Sequence, residues 1–190
     1  PMALCALGTV LGFPGFLALA LREVSASHGA VITGVLPLGT ALAGAIALRQ
    51  RPSLGFWVCA LAGTALVLGF AVAQGGGRLS LADGWLLAAV ASASIAYVAG
   101  AQVSRELPAE QVICWVLVGA LPLTAPLALW WWPADAPRIQ PQAWLALVYL
   151  ALFSMWLGFF AWYRALALGG VVRISEAQLV QPFVTLLLAV

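Results

Sequence analysis

Seven apolar stretches of about 20 residues alternate with short polar breaks along this chain. They cover residues 3–21, 29–48, 54–73, 84–103, 112–132, 143–163 and 171–190. A helix rises about 1.5 Å per residue, so each stretch reaches across a hydrocarbon layer of roughly 30 Å. The first six contain no Asp, Glu, Lys or Arg. A soluble core holds one helix this apolar, not seven in 190 residues. The pattern predicts an all-α membrane protein, a polytopic bundle of transmembrane helices.

Features inside the spans predict how they pack. Lipid gives no hydrophobic drive for helix association, so close approach through small residues matters. Gly8 and Gly12 in the first span are four apart, as are Ala88, Ser92, Ala96 and Gly100 in the fourth. Ser154 and Gly158 repeat the spacing in the sixth, and Gly55, Cys59 and Gly63 in the third. Pro14, Pro37, Pro122, Pro126 and Pro182 lie inside spans. Each removes one helical hydrogen bond and frees a carbonyl, which shapes a kink or lines a polar cavity.

A shift of 145 positions lays the second span on the seventh. Pro37 then meets Pro182, Thr40 meets Thr185 and Val35 meets Val180. The two copies are five spans apart, an odd step, so with short loops they point in opposite directions. That is an inverted repeat, the plan of many secondary transporters that bind substrate near the midplane. Gln74-Gly75-Gly76-Gly77 is the best boundary, giving a first unit of 1–75 with three spans and a second of 76–190 with four.

Composition sharpens the class. Hydrophobic residues make up 64% and charged residues 7%, against a soluble norm of about 25% charged. The net charge of +2 does not suit nucleic-acid binding, and every cation is Arg. Loops on one side carry Arg49, Arg51, Arg105, Arg164 and Arg173; the others carry Arg22, Arg78 and Arg138. The positive-inside rule puts the larger group in the cytoplasm. Trp85, Trp130–Trp132 and Trp144 at one level, and Trp57 and Trp162 at the other, read as interfacial anchors. Cys5, Cys59 and Cys114 read as buried small apolar side chains, not metal ligands. No secretory signal, HExxH, Walker A or GxSxG motif is present, so no enzyme chemistry, metal or cofactor is expected. The chain starts at Pro1 and stops inside an apolar run without a cap, and it reads as an internal piece of a longer protein whose span count is a lower bound.

Few side chains remain to carry chemistry. Glu176, three residues after Arg173, lies in the seventh span and is the candidate for proton coupling; an ion pair along one helix face is the simpler reading. Gln178, Gln181 and Thr185 extend a polar face along that span, which suits a cavity wall. Ser154, Trp156 and Tyr97 lie within spans and are candidates for the substrate path, with Pro37, Thr40 and Pro182. His28 opens the second span and reads first as a surface or capping residue.

Some of these stretches resemble a known family. Ser25-Ala26-Ser27-His28-Gly29-Ala30-Val31, Leu36-Pro37 and Arg51-Pro52-Ser53 resemble the first half of the EamA-type family of the drug/metabolite transporter superfamily. The run Trp156 to Leu166 and Gln178-Leu179-Val180-Gln181-Pro182-Phe183 resemble its second half. The resemblance implies ten spans in two inverted five-span repeats, of which this chain would hold the third to the ninth. Where the family commonly has Glu in the loop after its fourth span, this chain has Gln50, so no role of that acid carries over. The expectation is a secondary transporter exporting small metabolites or amphipathic compounds by alternating access. Its partners would be the lipid bilayer, a small-molecule substrate, a coupling proton and a second copy in a homodimer, in a bacterial inner membrane. A non-transporting scaffold or sensor subunit is the alternative, and an intramembrane enzyme comes third.

Overall fold

The computed structural model describes residues 1–49, 52–74, 80–133, 139–180 and 184, and its regular structure is all helical. We number seven helices: α1 (Met2–Ala20), α2 (Ala26–Ala47), α3 (Leu54–Gln74), α4 (Leu81–Val103), α5 (Ala109–Trp130), α6 (Pro141–Gly169) and α7 (Val171–Ser175). α1, α2, α4, α5 and α6 are long and apolar enough to cross a membrane. α3 has 21 residues, with a shorter apolar stretch at Leu54–Leu66.

The seventh span departs from expectation. α7 is followed by a 3-10 turn, Glu176–Val180, in which successive side chains rotate by about 120° and not 100°. Of the expected polar face, Gln178 falls in this turn. Gln181, Pro182 and Thr185 lie outside the described residues, as do Gln50 and Arg51.

α4 is the central helix. Its start is fixed by a capping box: Ser80 Oγ accepts from the Asp83 backbone N–H, and an Asp83 carboxylate oxygen accepts from the Ser80 N–H at 2.7 Å. Its small-residue ladder then lets neighbours come close. A Cβ built on Gly8 would sit 2.7 Å from the Ala96 methyl, and one on Gly12 would strike the Ser92 hydroxyl. Gly39 of α2 meets Ser94 in the same way, and Gly100 lies flat against the Tyr163 ring. Polar links reinforce the seams: Ser92 Oγ donates to the Gly8 carbonyl at 3.4 Å, and Thr40 Oγ1 donates to Ser94 Oγ at 3.5 Å. Cys5 Sγ lies 3.1 Å from the Tyr163 hydroxyl. Cys5 is buried as expected, Cys114 is half-buried, and Cys59 is exposed on α3, contrary to expectation.

Three helices depart from α geometry. In α1, residues Leu7–Gly12 form a π-helical segment, and the Phe13 N–H reaches the Gly8 carbonyl five residues back. It directly precedes Pro14, whose ring crowds the carbonyl four residues earlier. α2 breaks at Gly34-Val35 between segments Ala26–Thr33 and Leu36–Ala47. The cause is Pro37, which leaves the Thr33 carbonyl without its helical donor. In α6, residues Leu150–Leu157 are π-helical. Gly170 then adopts φ 77°, a conformation that needs glycine, and turns the chain into α7.

Candidate functional site

Two polar contacts define the ends of the bundle. At one, His28 Nε2 and Asp83 Oδ1 lie 2.6 Å apart. At the other, Arg164 reaches Glu110 at 3.4 Å, with both side chains exposed. Exposed pairs of this kind contribute roughly 0–1 kcal/mol. The His28 pair is different, because Asp83 is buried.

Between these ends, nearer Arg164, α4, α6 and the 3-10 turn frame an open cleft of about 560 Å³. Tyr97, Ser154, Phe159, Trp162 and Gln178 are among its lining residues. Tyr97 lies six residues before the end of α4, Trp162 seven before the end of α6, and Gln178 seven after the start of α7. At about 1.5 Å per residue, all three sit about 10 Å in from the Arg164 end. The π-helical segment of α6 supplies Ser154, eight residues before Trp162 and so about 12 Å farther from that end. Such segments widen a helical turn and recur at functional sites.

The cleft wall is aromatic. The Tyr97 ring lies 5.3 Å from Trp162 and 6.2 Å from Phe159, both tilted, and Phe159 lies 5.4 Å from Tyr163. The Tyr97 hydroxyl interacts with the Gln178 side chain, yet among the described residues no donor comes within hydrogen-bond range of Gln178 Oε1. Trp162 Nε1–H, also buried, has no acceptor among the described residues. Each unpaired buried polar atom costs about 1–3 kcal/mol. Among the described lining residues none carries a charge. Their chemistry suits a small amphipathic solute: ring faces, a hydroxyl and an amide. Among the described residues no group of three or more His, Cys, Asp or Glu gathers to hold a metal ion.

The sequence candidates separate here. Tyr97, Ser154 and Gln178 line one cleft. Trp156 lies off it: its ring packs edge-on against Phe160 at 5.5 Å, and its Nε1–H points at Cys114 Sγ, 3.5 Å away. Pro37 and Thr40 are buried between α2 and its neighbours, with Thr40 held by Ser94. Glu176 falls in the 3-10 turn beside the cleft-lining Ala177. Three residues escaped sequence reasoning. Trp162 reads as an interfacial anchor yet lines the cleft, and Phe159 carries no sequence signal beyond apolarity. Asp83 has a legible cap motif, Ser80-xx-Asp83, but its bond to His28 exists only in the tertiary structure.

Comparison with known proteins gives an independent reading. Residues 1–72 and 80–190 match the model of the EamA-like transporter family. Over 184 residues the chain is 46% identical to the uncharacterized transporter YdeK of Bacillus subtilis (strain 168). The alignment covers 97% of this chain and 64% of that relative, so the chain spans about two thirds of the length of the protein it matches. No solved structure matches the chain.

Proposed function

The chain belongs to the EamA-like transporter family, and from that premise we propose that it forms the substrate-handling part of a secondary transporter that exports small metabolites or amphipathic compounds. The family is one of transporters, not of enzymes. Substrate enters the cleft between α4, α6 and the 3-10 turn, and alternating access carries it across as two inverted repeats, 1–75 and 76–190, rock against each other. Tyr97, Ser154 and Gln178 contact it, with Trp162 added to the set. Gln181, Pro182 and Thr185 continue the path beyond the described residues. Pro37 and Thr40 act at the α2 seam, and Trp156 supports α6 from behind. Glu176 takes up and releases the coupling proton. The protein works as a homodimer in a bacterial inner membrane, with the Arg164 end in the cytoplasm.

The observation that supports this reading is the cleft itself: three polar candidates chosen from sequence meet in one space inside an apolar bundle. A scaffold has little use for such a space. The test uses everted membrane vesicles with an inside-acid gradient. Pools of amino acids, nucleosides and lipophilic cations are added in turn while lumenal pH is followed. Proton release specific to one pool, absent from vesicles lacking the protein, is the expected result. If no pool moves protons and no labelled pool accumulates, the scaffold or sensor reading replaces this one.

A further inference from the structure

The His28 end carries a device that the cleft does not explain. His28 is the third residue of the segment Ala26–Thr33 that α2 sets apart from Leu36–Ala47; its own backbone N–H is capped by Ser25 Oγ at 3.3 Å. Its Nε2 meets Asp83 Oδ1 at 2.6 Å, and the imidazole is largely shielded, with 18% of its side-chain surface exposed. The other carboxylate oxygen, Oδ2, is already held by the Ser80 N–H at 2.7 Å and the Ser80 hydroxyl at 3.1 Å. Asp83 is thus a fixed anchor on α4, and His28 is the group that arrives at it. Beneath the pair lies an apolar plug of Ala20, Val31, Ile32, Ala82 and Leu86. Leu21 and Leu86 close over Gly29, whose absent side chain leaves them room; a Cβ there would sit 3.1 Å from Leu21.

The two segments of α2 are held differently. Leu36–Ala47 is clamped along its length: Gly39 against Ser94, Thr40 bonded to Ser94, and Gly44 against Val171. Ala26–Thr33 packs through Val31 and Ile32, and its joint to Leu36–Ala47 is a tightened turn in which the Val35 N–H reaches the Ile32 carbonyl three residues back at 3.1 Å. Thr33 turns its hydroxyl back on its own segment, donating to the Gly29 carbonyl at 2.9 Å. The charged groups nearest in sequence, Arg22 and Glu23, are exposed in the turn before it and make no ion pair among the described contacts.

We infer that Ala26–Thr33 is a lid over the His28 end of the substrate path, hinged at Gly34-Val35 and latched by the His28–Asp83 contact. This rests on the alternating-access reading above. With the latch closed, the plug seals the long route to the cleft, which lies about 20 Å below Asp83 by helical rise. Opening breaks one hydrogen bond to a carboxylate, swings the lid at the joint where Pro37 leaves the Thr33 carbonyl without its helical donor, and exposes the plug. His28 and Asp83 are positioning residues in this scheme; neither touches the substrate.

The test needs no known substrate. A Ser154→Cys reporter is placed in the cleft, and membrane vesicles of each orientation are treated with a membrane-impermeant methanethiosulfonate, beside controls lacking the reporter. With the native latch, labelling proceeds mainly from the Arg164 face. His28→Ala and Asp83→Asn each raise labelling from the His28 face on the order of tenfold, the scale of one hydrogen bond to a charged group; His28→Gln, which retains a donor, restores much of the protection. A His28→Cys/Asp83→Cys pair, once oxidised, abolishes labelling from the His28 face, and reduction restores it. If the reporter labels from the Arg164 face but none of these changes alters labelling from the other, the latch is wrong while the transport reading stands. If the reporter is unreachable from both faces in every variant, the cleft is no substrate path, and both readings fall.

Discussion

α4 and α6 have similar mean hydropathy, 1.7 and 1.9, and opposite fates. In α4, 61% of the most apolar window is buried inside the bundle; in α6 none of it is. Hydropathy says that a helix belongs in lipid but not which faces meet protein. The difference lies in side-chain size. α4 presents Ser92, Ala96 and Gly100 to its neighbours, so backbones approach and van der Waals contacts replace lipid. α6 presents Leu145, Leu147, Tyr149 and Phe153, all exposed, and bends its geometry into a π segment where it meets the cleft. One helix is built for packing. The other leaves space at Ser154, and transport needs that space.

The comparison can be broken at chosen points. The largest effect is expected at Gly100, where any side chain collides with Tyr163. Gly100→Val should destabilise the protein by about 3 kcal/mol, read as a lowered thermal midpoint in detergent; a stable variant would remove α4 from the centre of the account. On the α6 side the effect moves from stability to function. Ser154→Leu fills the cleft, and transport should fall on the order of tenfold with the thermal midpoint held. Glu176→Gln should flatten the dependence of transport on the pH gradient without changing expression; an unaltered pH profile would transfer coupling to another group. The smallest effect is a control. Among the described residues nothing lies within 4 Å of a Cβ built on Gly119 of α5, so Gly119→Ala should stabilise by about 0.5–1 kcal/mol through helix propensity alone. A loss there would reveal a partner on that face.

Much of the fold was legible because lipid imposes it. Backbone polar groups must be satisfied within each span, so long apolar runs can only be helices. The described helices α1, α2, α4, α5 and α6 follow the apolar runs to within a few residues. α4 begins three residues before its apolar run because the Ser80–Asp83 cap, not hydropathy, sets the start. The ladder Ser92-Ala96-Gly100 reads as packing in sequence and packs in the structure. The α2 break was half legible: Pro37 signals it, but the chain yields earlier, at Gly34-Val35, where the freed carbonyl and the ring crowd the preceding turn. The site was less legible. Tyr97, Ser154 and Gln178 announce themselves as polar groups in apolar spans, while Trp162 resembles any interfacial Trp until its depth and its unpaired N–H are seen. The His28–Asp83 contact joins residues 55 apart in sequence, and no local pattern encodes it.

The most direct measurement compares two single cysteines. Ser92→Cys sits in the α1–α4 seam and Ser154→Cys in the cleft, both in apolar spans. The account predicts that a membrane-impermeant maleimide labels Ser154→Cys readily and leaves Ser92→Cys untouched under the same conditions. Equal labelling of the two would mean that water reaches the packed seam as easily as the cleft, and the division between a packing helix and a transport helix would be contradicted.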